Sequence, residues 1–237
     1  MSRRDGILRE LGLAPIWRLR DRPAEVPVAP VTESIAQPVA DDRAAAIAAM
    51  GWDELKAAVA GCRACGLCQA RKQAVLGVGD VEADWLFVGE GPGAEEDERG
   101  EPFVGQAGKL LDAMLAAIDL KRGENVYIGN SVKCRPPKNR TPEPEETATC
   151  WPFLERQIEL IKPKLIVALG RPAAQTLLQS EVKISASRGR LFDYRGIPVV
   201  VTYHPAYLLR NLPDKARAWE DLCFMRRTMQ GFRGDQP

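Results

Sequence analysis

A glycine-rich turn, Gly89-Glu-Gly-Pro-Gly-Ala-Glu-Glu-Asp97, opens where the apolar run Trp85–Val88 closes. Glycines at 89, 91 and 93 let a backbone bend sharply and approach a ligand that any Cβ would obstruct. Glu95, Glu96 and Asp97 follow directly, carboxylates set where a buried strand gives way to a loop. That is the usual place for chemistry in open α/β sheets.

Two further polar groups stand at predicted strand ends. Tyr127-Ile-Gly-Asn130 closes on a side-chain amide, which accepts through its oxygen and donates through its nitrogen. Such an amide could read a base edge. Uracil offers N3–H and O4 and satisfies both ends, whereas cytosine would set donor against donor. The plainer reading is an Asn that caps a turn. Thr202-Tyr-His204-Pro-Ala-Tyr-Leu-Leu-Arg210 carries the only imidazole of the chain. Leu208 and Leu209 beside Arg210 suit a wedge that enters a duplex where a base has been extruded, with the guanidinium on the phosphates. Packing against the following helix is the competing use for one of the two leucines.

Cysteines form a third constellation. Cys62-Arg-Ala-Cys65-Gly-Leu-Cys68 is followed by Cys134 and Cys150, with Cys223 alone. In a reducing compartment such thiols favour metal or cluster binding over disulfides. Zinc ribbons use two tight cysteine pairs, and a single histidine nearly excludes mixed Cys/His sites. Uneven thiolate spacing fits a [4Fe–4S] cluster better. Cys62, Cys65 and Cys68 by themselves also look like the first three ligands of a ferredoxin run, so the spacing leaves the ligand set open.

An alternation of strands and helices must hold these groups. Strands are expected at Trp85–Val88, Val126–Ile128, Leu165–Leu169 and Val199–Thr202. Helices are expected at Ala107–Ala117, Pro144–Ile161, Pro172–Leu178 and Lys215–Met229, and a helical pattern covers Asp41–Ala60. Arg190–Arg195 with Gly196 reads as a hairpin feeding the last strand. The alternation predicts an α/β fold with a mostly parallel sheet covered by helices on both faces. Residues 1–40 read as a disordered tail and linker, rich in Pro, Ala, Val and Glu after a possible short helix at Asp5–Trp17 that could dock a protein partner. Residues 41–237 read as one domain.

The 237 residues, with 33 Lys and Arg against 32 Asp and Glu, give a near-neutral chain without the basic excess usual in nucleic-acid binders. Local basic clusters remain: Lys133, Arg135, Lys138 and Arg140, then Arg188, Arg190 and Arg195, each readable as a solvated face. No apolar run approaches the ~20 residues of a membrane span, and the N-terminus lacks a secretory signal pattern. A cytoplasmic protein without a membrane partner is expected.

Gly89–Asp97, Pro102-Phe-Val-Gly105, Asn130-Ser-Val-Lys-Cys-Arg-Pro136 and His204–Arg210 together resemble the family 4 uracil-DNA glycosylases, the iron–sulfur branch of the uracil-DNA glycosylase superfamily. The resemblance runs in order from Gly61 to Met229. It implies a three-layer α/β/α fold with a central four-stranded parallel sheet. It also implies a [4Fe–4S] cluster on Cys62, Cys65, Cys134 and Cys150 that pins the 134–150 loop, with Cys68 outside the set. The implied activity is base excision repair by a monofunctional hydrolase. Uracil is flipped out of single- or double-stranded DNA and its N-glycosidic bond is hydrolysed, leaving an abasic site.

In that scheme Phe103 stacks on the extruded ring, Asn130 reads its edge, and a neutral His204 donates to uracil O2. Backbone amides around Glu90 and Gly91 help hold the carbonyl. The best-known branch of the superfamily carries Asp before the motif proline, where this chain has Gly91. Glu96 is therefore the choice to position water, with Glu90 and Asp97 in reserve. That branch rejects thymine with a tyrosine after the same proline, where this chain has Gly93, so rejection is expected from the Glu96 region instead. No covalent-trapping insertion follows 133–137, so plain hydrolysis is expected, and a monomer is the default for this type of enzyme. The alternative is a non-catalytic iron–sulfur nucleic-acid-binding module whose glycine turn only holds phosphate.

Overall fold

The computed structural model describes residues 42–233. The expected tail and its short helix lie outside them. Helix α1 (Asp42–Ala48) and helix α2 (Trp52–Gly61) replace the single helix expected there. The break falls at Gly51, which is extended and caps α2, and the Glu54 carboxylate accepts its N–H at 2.9 Å. That bond satisfies one orphan donor at the helix start, the glutamate half of a capping box.

Strands β1 (Val78–Gly79), β2 (Trp85–Gly89), β3 (Val126–Asn130), β4 (Leu165–Leu169), β5 (Leu191–Tyr194) and β6 (Ile197–Thr202) form one open sheet in the order β1-β3-β2-β4-β6-β5. The inner four run parallel. The expected four-stranded sheet is thus corrected to six, because β1 and β5 add antiparallel edges. A two-residue Val-Gly strand offers no periodicity to read. β5 pairs with β6 through the expected hairpin, whose turn places Arg195 and Gly196 at positive φ.

Every residue of β2, β3 and β4 is buried, as parallel strands covered on both faces require. Alternate side chains feed two cores. Trp85, Phe87, Val126, Ile128, Val167 and Val200 pack with helix α4 (Gln106–Ala116) and helix α9 (Asp214–Arg233). Leu86, Val88, Ile166, Ala168, Val199 and Val201 pack with helix α5 (Pro144–Ile161) and helix α6 (Arg171–Leu178). Helix, sheet and helix are thus stacked as three layers. Pro144 and Pro172 fall in the first turns of α5 and α6, where a missing N–H is no loss. A third, smaller cluster joins α1 and α2 to Val132, Cys134, Cys150 and Phe153. Among the described residues no helix is long and apolar enough to cross a membrane.

Candidate active site

Parallel pairing in register brings Gly89 opposite Asn130, and Leu169 opposite Thr202, along one edge of the sheet. A side chain at position 89 would force its neighbours to shift. A Cβ on Gly89 would stand 2.4 Å from Asn130 Oδ1 and 2.6 Å from Phe103 Cζ. The glycine is needed so that an amide and an aromatic ring can crowd against the strand end. Glu90, Gly91, Glu96, Phe103, Asn130, His204 and Arg210 all line one cleft of about 290 Å³ at that edge.

Phe103 has a left-handed backbone, φ 54°, an uncommon state for a bulky residue and one found at functional sites. Two devices hold it there. Arg122 donates from Nη1 to the Pro102 carbonyl and from Nη2 to the Phe103 carbonyl, both at 2.8 Å, while Asp112 anchors the guanidinium. Gly108, in the first turn of α4, lies so close under Phe103 that a Cβ would meet its carbonyl oxygen at 1.8 Å. Nothing in the local sequence marks Arg122 for this task, because its partners lie about twenty residues away.

Asn130 is 2% exposed, and its Oδ1 is buried with no hydrogen-bond partner. An unmatched buried acceptor is uncommon in folded proteins and points to a missing donor. Behind it, buried Lys133 donates from Nζ to the Asn130 carbonyl at 2.8 Å and to Gln157 Oε1. Gln157 in turn donates to the Tyr127 hydroxyl at 3.0 Å. Burial lowers the Lys133 pKa to about 8, opposed by the neighbouring Cys150 and Cys134. The expected basic face therefore fails at Lys133, which is 1% exposed and props the strand end. Three of the other six cations are paired within the fold: Arg140 with Glu146, Arg188 with Asp221, and Arg195 with Glu155.

His204 caps the short helix α8 (Pro205–Leu208), the next after the four-residue α7 (Ile184–Ser187), its Nδ1 accepting the Ala206 N–H at 3.1 Å. That bond makes Nδ1 the acceptor and leaves the proton on Nε2. Burial, with Arg210 adding to it and Glu96 opposing, pushes the imidazole pKa down to about 4, so the ring is neutral. It stands 5.4 Å from the Phe103 ring, tilted by 31°. The two leucines of the expected wedge divide. Leu208 is 1% exposed and sits in the core with Ala218 and Leu222, so its assignment as a substrate contact is corrected. Leu209, 41% exposed, is the one left outside.

The three acids after the glycine turn also have distinct surroundings. They form the first turn of helix α3 (Ala94–Arg99), unread in the sequence because it is only six residues long. Asp97 is buried and accepts the Lys72 N–H at 2.9 Å, outside the cleft lining. Glu96 lines the cleft with three amides upon it: Oε2 accepts from Gly93, and Oε1 accepts from Val104 and Gly105 at 2.9 and 3.1 Å. Glu90 has a raised pKa, since burial outweighs a Thr141 hydrogen bond and the Arg171 charge.

Of the four expected ligand cysteines, Cys134 and Cys150 are buried in the third cluster and Cys62 and Cys65 are partly buried against it; Cys68 does not belong to it. Donors surround the sulfurs. Arg71 Nη1 reaches Cys134 Sγ at 2.7 Å, the Lys133 N–H reaches Cys150 Sγ at 3.3 Å, and Arg43 Nη2 reaches Cys62 Sγ at 3.8 Å. Burial pushes the Cys150 thiol up to about 12. Among the described residues, no three His, Cys, Asp or Glu side chains are arranged to hold a metal ion.

The sequence profile of the uracil DNA glycosylase superfamily matches residues 76–223, the span that carries every wall of the cleft. The type-4 uracil-DNA glycosylase of Thermotoga maritima is 49% identical over 158 residues, covering 66% of this chain and 82% of that protein. That of Archaeoglobus fulgidus is 46% identical over 165 residues, with the same coverage of each. The Pyrobaculum aerophilum type-4 enzyme is 40% identical over 183 residues, 73% of this chain and 92% of its own length. Motifs, three-layer fold and relatives agree, and the chain belongs to the uracil DNA glycosylase superfamily, in its type-4 branch.

Proposed function

We propose that this chain removes uracil from DNA by turning the nucleotide out of the helix and hydrolysing its N-glycosidic bond. The observation that carries the proposal is the orphaned Asn130 Oδ1, buried at the cleft wall beside Phe103. Uracil supplies the missing donor at N3–H and an acceptor at O4 for the amide N–H. Flipping costs roughly a few kcal/mol, offset by stacking on Phe103 and the amide pair. Bond cleavage leaves negative charge on the base. His204 Nε2–H, neutral and fixed through Nδ1, donates to uracil O2 as that charge grows. A preorganised donor of this kind contributes about 10²–10³ in rate. The amides of Glu90 and Gly91 support the same carbonyl, and Arg210 and Leu209 engage the phosphates and the vacated stack.

For water, the environments favour Glu96. A carboxylate has about four lone-pair sites. Three amide hydrogen bonds fix Glu96 and leave one site on Oε2 for a water. Glu90, with its raised pKa, is the poorer anion.

The same reading puts a [4Fe–4S] cluster on Cys62, Cys65, Cys134 and Cys150. The shared apolar pocket and the three donors to sulfur suit thiolate ligands, and a reducing cytoplasm suits free cysteines. When bound, the cluster would tie the 62–65 segment to Cys134 and to Cys150 on α5. The chain's residues then form the pocket as a monomer.

The test is excision itself. Incubated with a uracil-containing oligonucleotide and then alkali, the protein should generate a break at the uracil position. Intact strands under conditions where DNA is bound would leave only a nucleic-acid-binding module.

A further inference from the structure

A second cavity, about 600 Å³, opens between the start of α5, helix α6 and the β5–β6 hairpin. It adjoins the uracil cleft, because Glu90 lines both. Pro142, Trp151 and Pro172 give it apolar walls, and Gln175 and Tyr194 also line it. Tyr194 is 8% exposed, and its hydroxyl is buried with no hydrogen-bond partner. Its ring is fixed from two sides. Trp151 meets it edge-on at 5.9 Å and 76°, and the Arg195 guanidinium lies 5.5 Å from its centroid. Phenylalanine would fill the same volume without burying an unmatched hydroxyl, so stability alone does not account for tyrosine. The only other buried side-chain atom in this state among the described residues is Asn130 Oδ1, in the neighbouring cleft.

Flat apolar walls, a fixed hydroxyl and an amide suit a planar heterocycle with a polar edge. Beside a nucleotide held in the uracil cleft, the nearest such group is the next base of the same strand. We infer that this cavity takes the base adjacent to the excised uracil, unstacked from its neighbours, so that recognition spans two nucleotides. The inference rests on the uracil-excision reading and deepens it. An unpaired strand yields that base at lower cost than a duplex does, so the site favours single-stranded or locally opened DNA.

The experiment compares single-stranded oligonucleotides in which the nucleotide 5′ or 3′ of the uracil carries either a base or a stable abasic analogue. The wild type should lose about three- to tenfold in kcat/KM, the scale of a hydrogen bond made in a buried site, when one of the two flanking bases is removed. Tyr194→Phe and Gln175→Ala should lose a similar factor on the fully based strand and be indifferent to that removal. Tyr194→Phe should melt no lower than the wild type. Equal rates for the wild type on all three strands would overturn the inference, as would variants that discriminate like the wild type. A clear drop in the melting temperature of Tyr194→Phe would also overturn it, because the hydroxyl would then have a structural partner. Failure to release uracil from any strand would instead sink the excision reading itself.

Discussion

Asn130 and His204 meet opposite requirements at one cleft. Asn130 keeps an acceptor without a donor, a state that is costly until a ligand arrives. His204 uses its Nδ1 internally so that Nε2–H is left to give. Asn130→Asp removes the donor to uracil O4. Uracil excision should fall by about 10² or more, the scale on which a site rejects a mismatched polar edge, while relative acceptance of cytosine rises. Side-by-side rates on uracil and cytosine strands check this, and unchanged selectivity would remove Asn130 from base reading.

The imidazole also has a pH signature. Its folded pKa of about 4 lies below the ordinary 6.5, so between these values the unfolded chain binds more protons. Stability from this group is therefore full above about pH 6.5 and is lost as pH falls through about 4. Urea unfolding across that window should show a smaller pH slope for His204→Gln than for the wild type. The types and positions of these residues could be read from strand-end motifs. Their support could not: Arg122 acts through carbonyls about twenty residues away, and Lys133, a lysine among cysteines and arginines, looks like surface until it is found buried.

Among the elements, the short helix α8 shows how two adjacent leucines come to differ. One turn of helix turns Leu208 onto α9 and leaves Leu209 outward. Leu208→Ala should cost about 2–5 kcal/mol of stability as a buried truncation. Leu209→Ala should leave the melting temperature nearly unchanged and slow excision from duplexes more than from single strands. Thermal melts paired with the two excision rates separate the roles. The four inner strands were legible because their apolar runs are short, rich in β-branched or aromatic residues and bounded by turn residues. β1 and α3 were not, since a two-residue strand and a six-residue helix carry too little pattern. The break between α1 and α2 depended on Gly51 and Glu54 pairing locally, a capping arrangement that outweighed a continuous helical period.

At the scale of the whole molecule, the sheet edge gathers base-reading groups from the ends of β2, β3 and β6, while the cysteines lie where α1 and α2 pack on Val132, Cys134 and the first half of α5. The loop residues Asn139 and Arg140 line the uracil cleft, so anchoring the loop bears on the site. Purified protein should be brown, with broad absorption near ~400 nm. Cys134→Ser should lose that colour and Cys68→Ser should keep it; the reverse pattern would mean a different ligand set. The most direct measurement is a crystal structure of the protein soaked with uracil. The ring should lie on Phe103, with N3–H on Asn130 Oδ1 and His204 Nε2 about 3 Å from O2. Uracil bound elsewhere, or Asn130 Oδ1 paired to a protein donor with the cleft empty, would contradict the account.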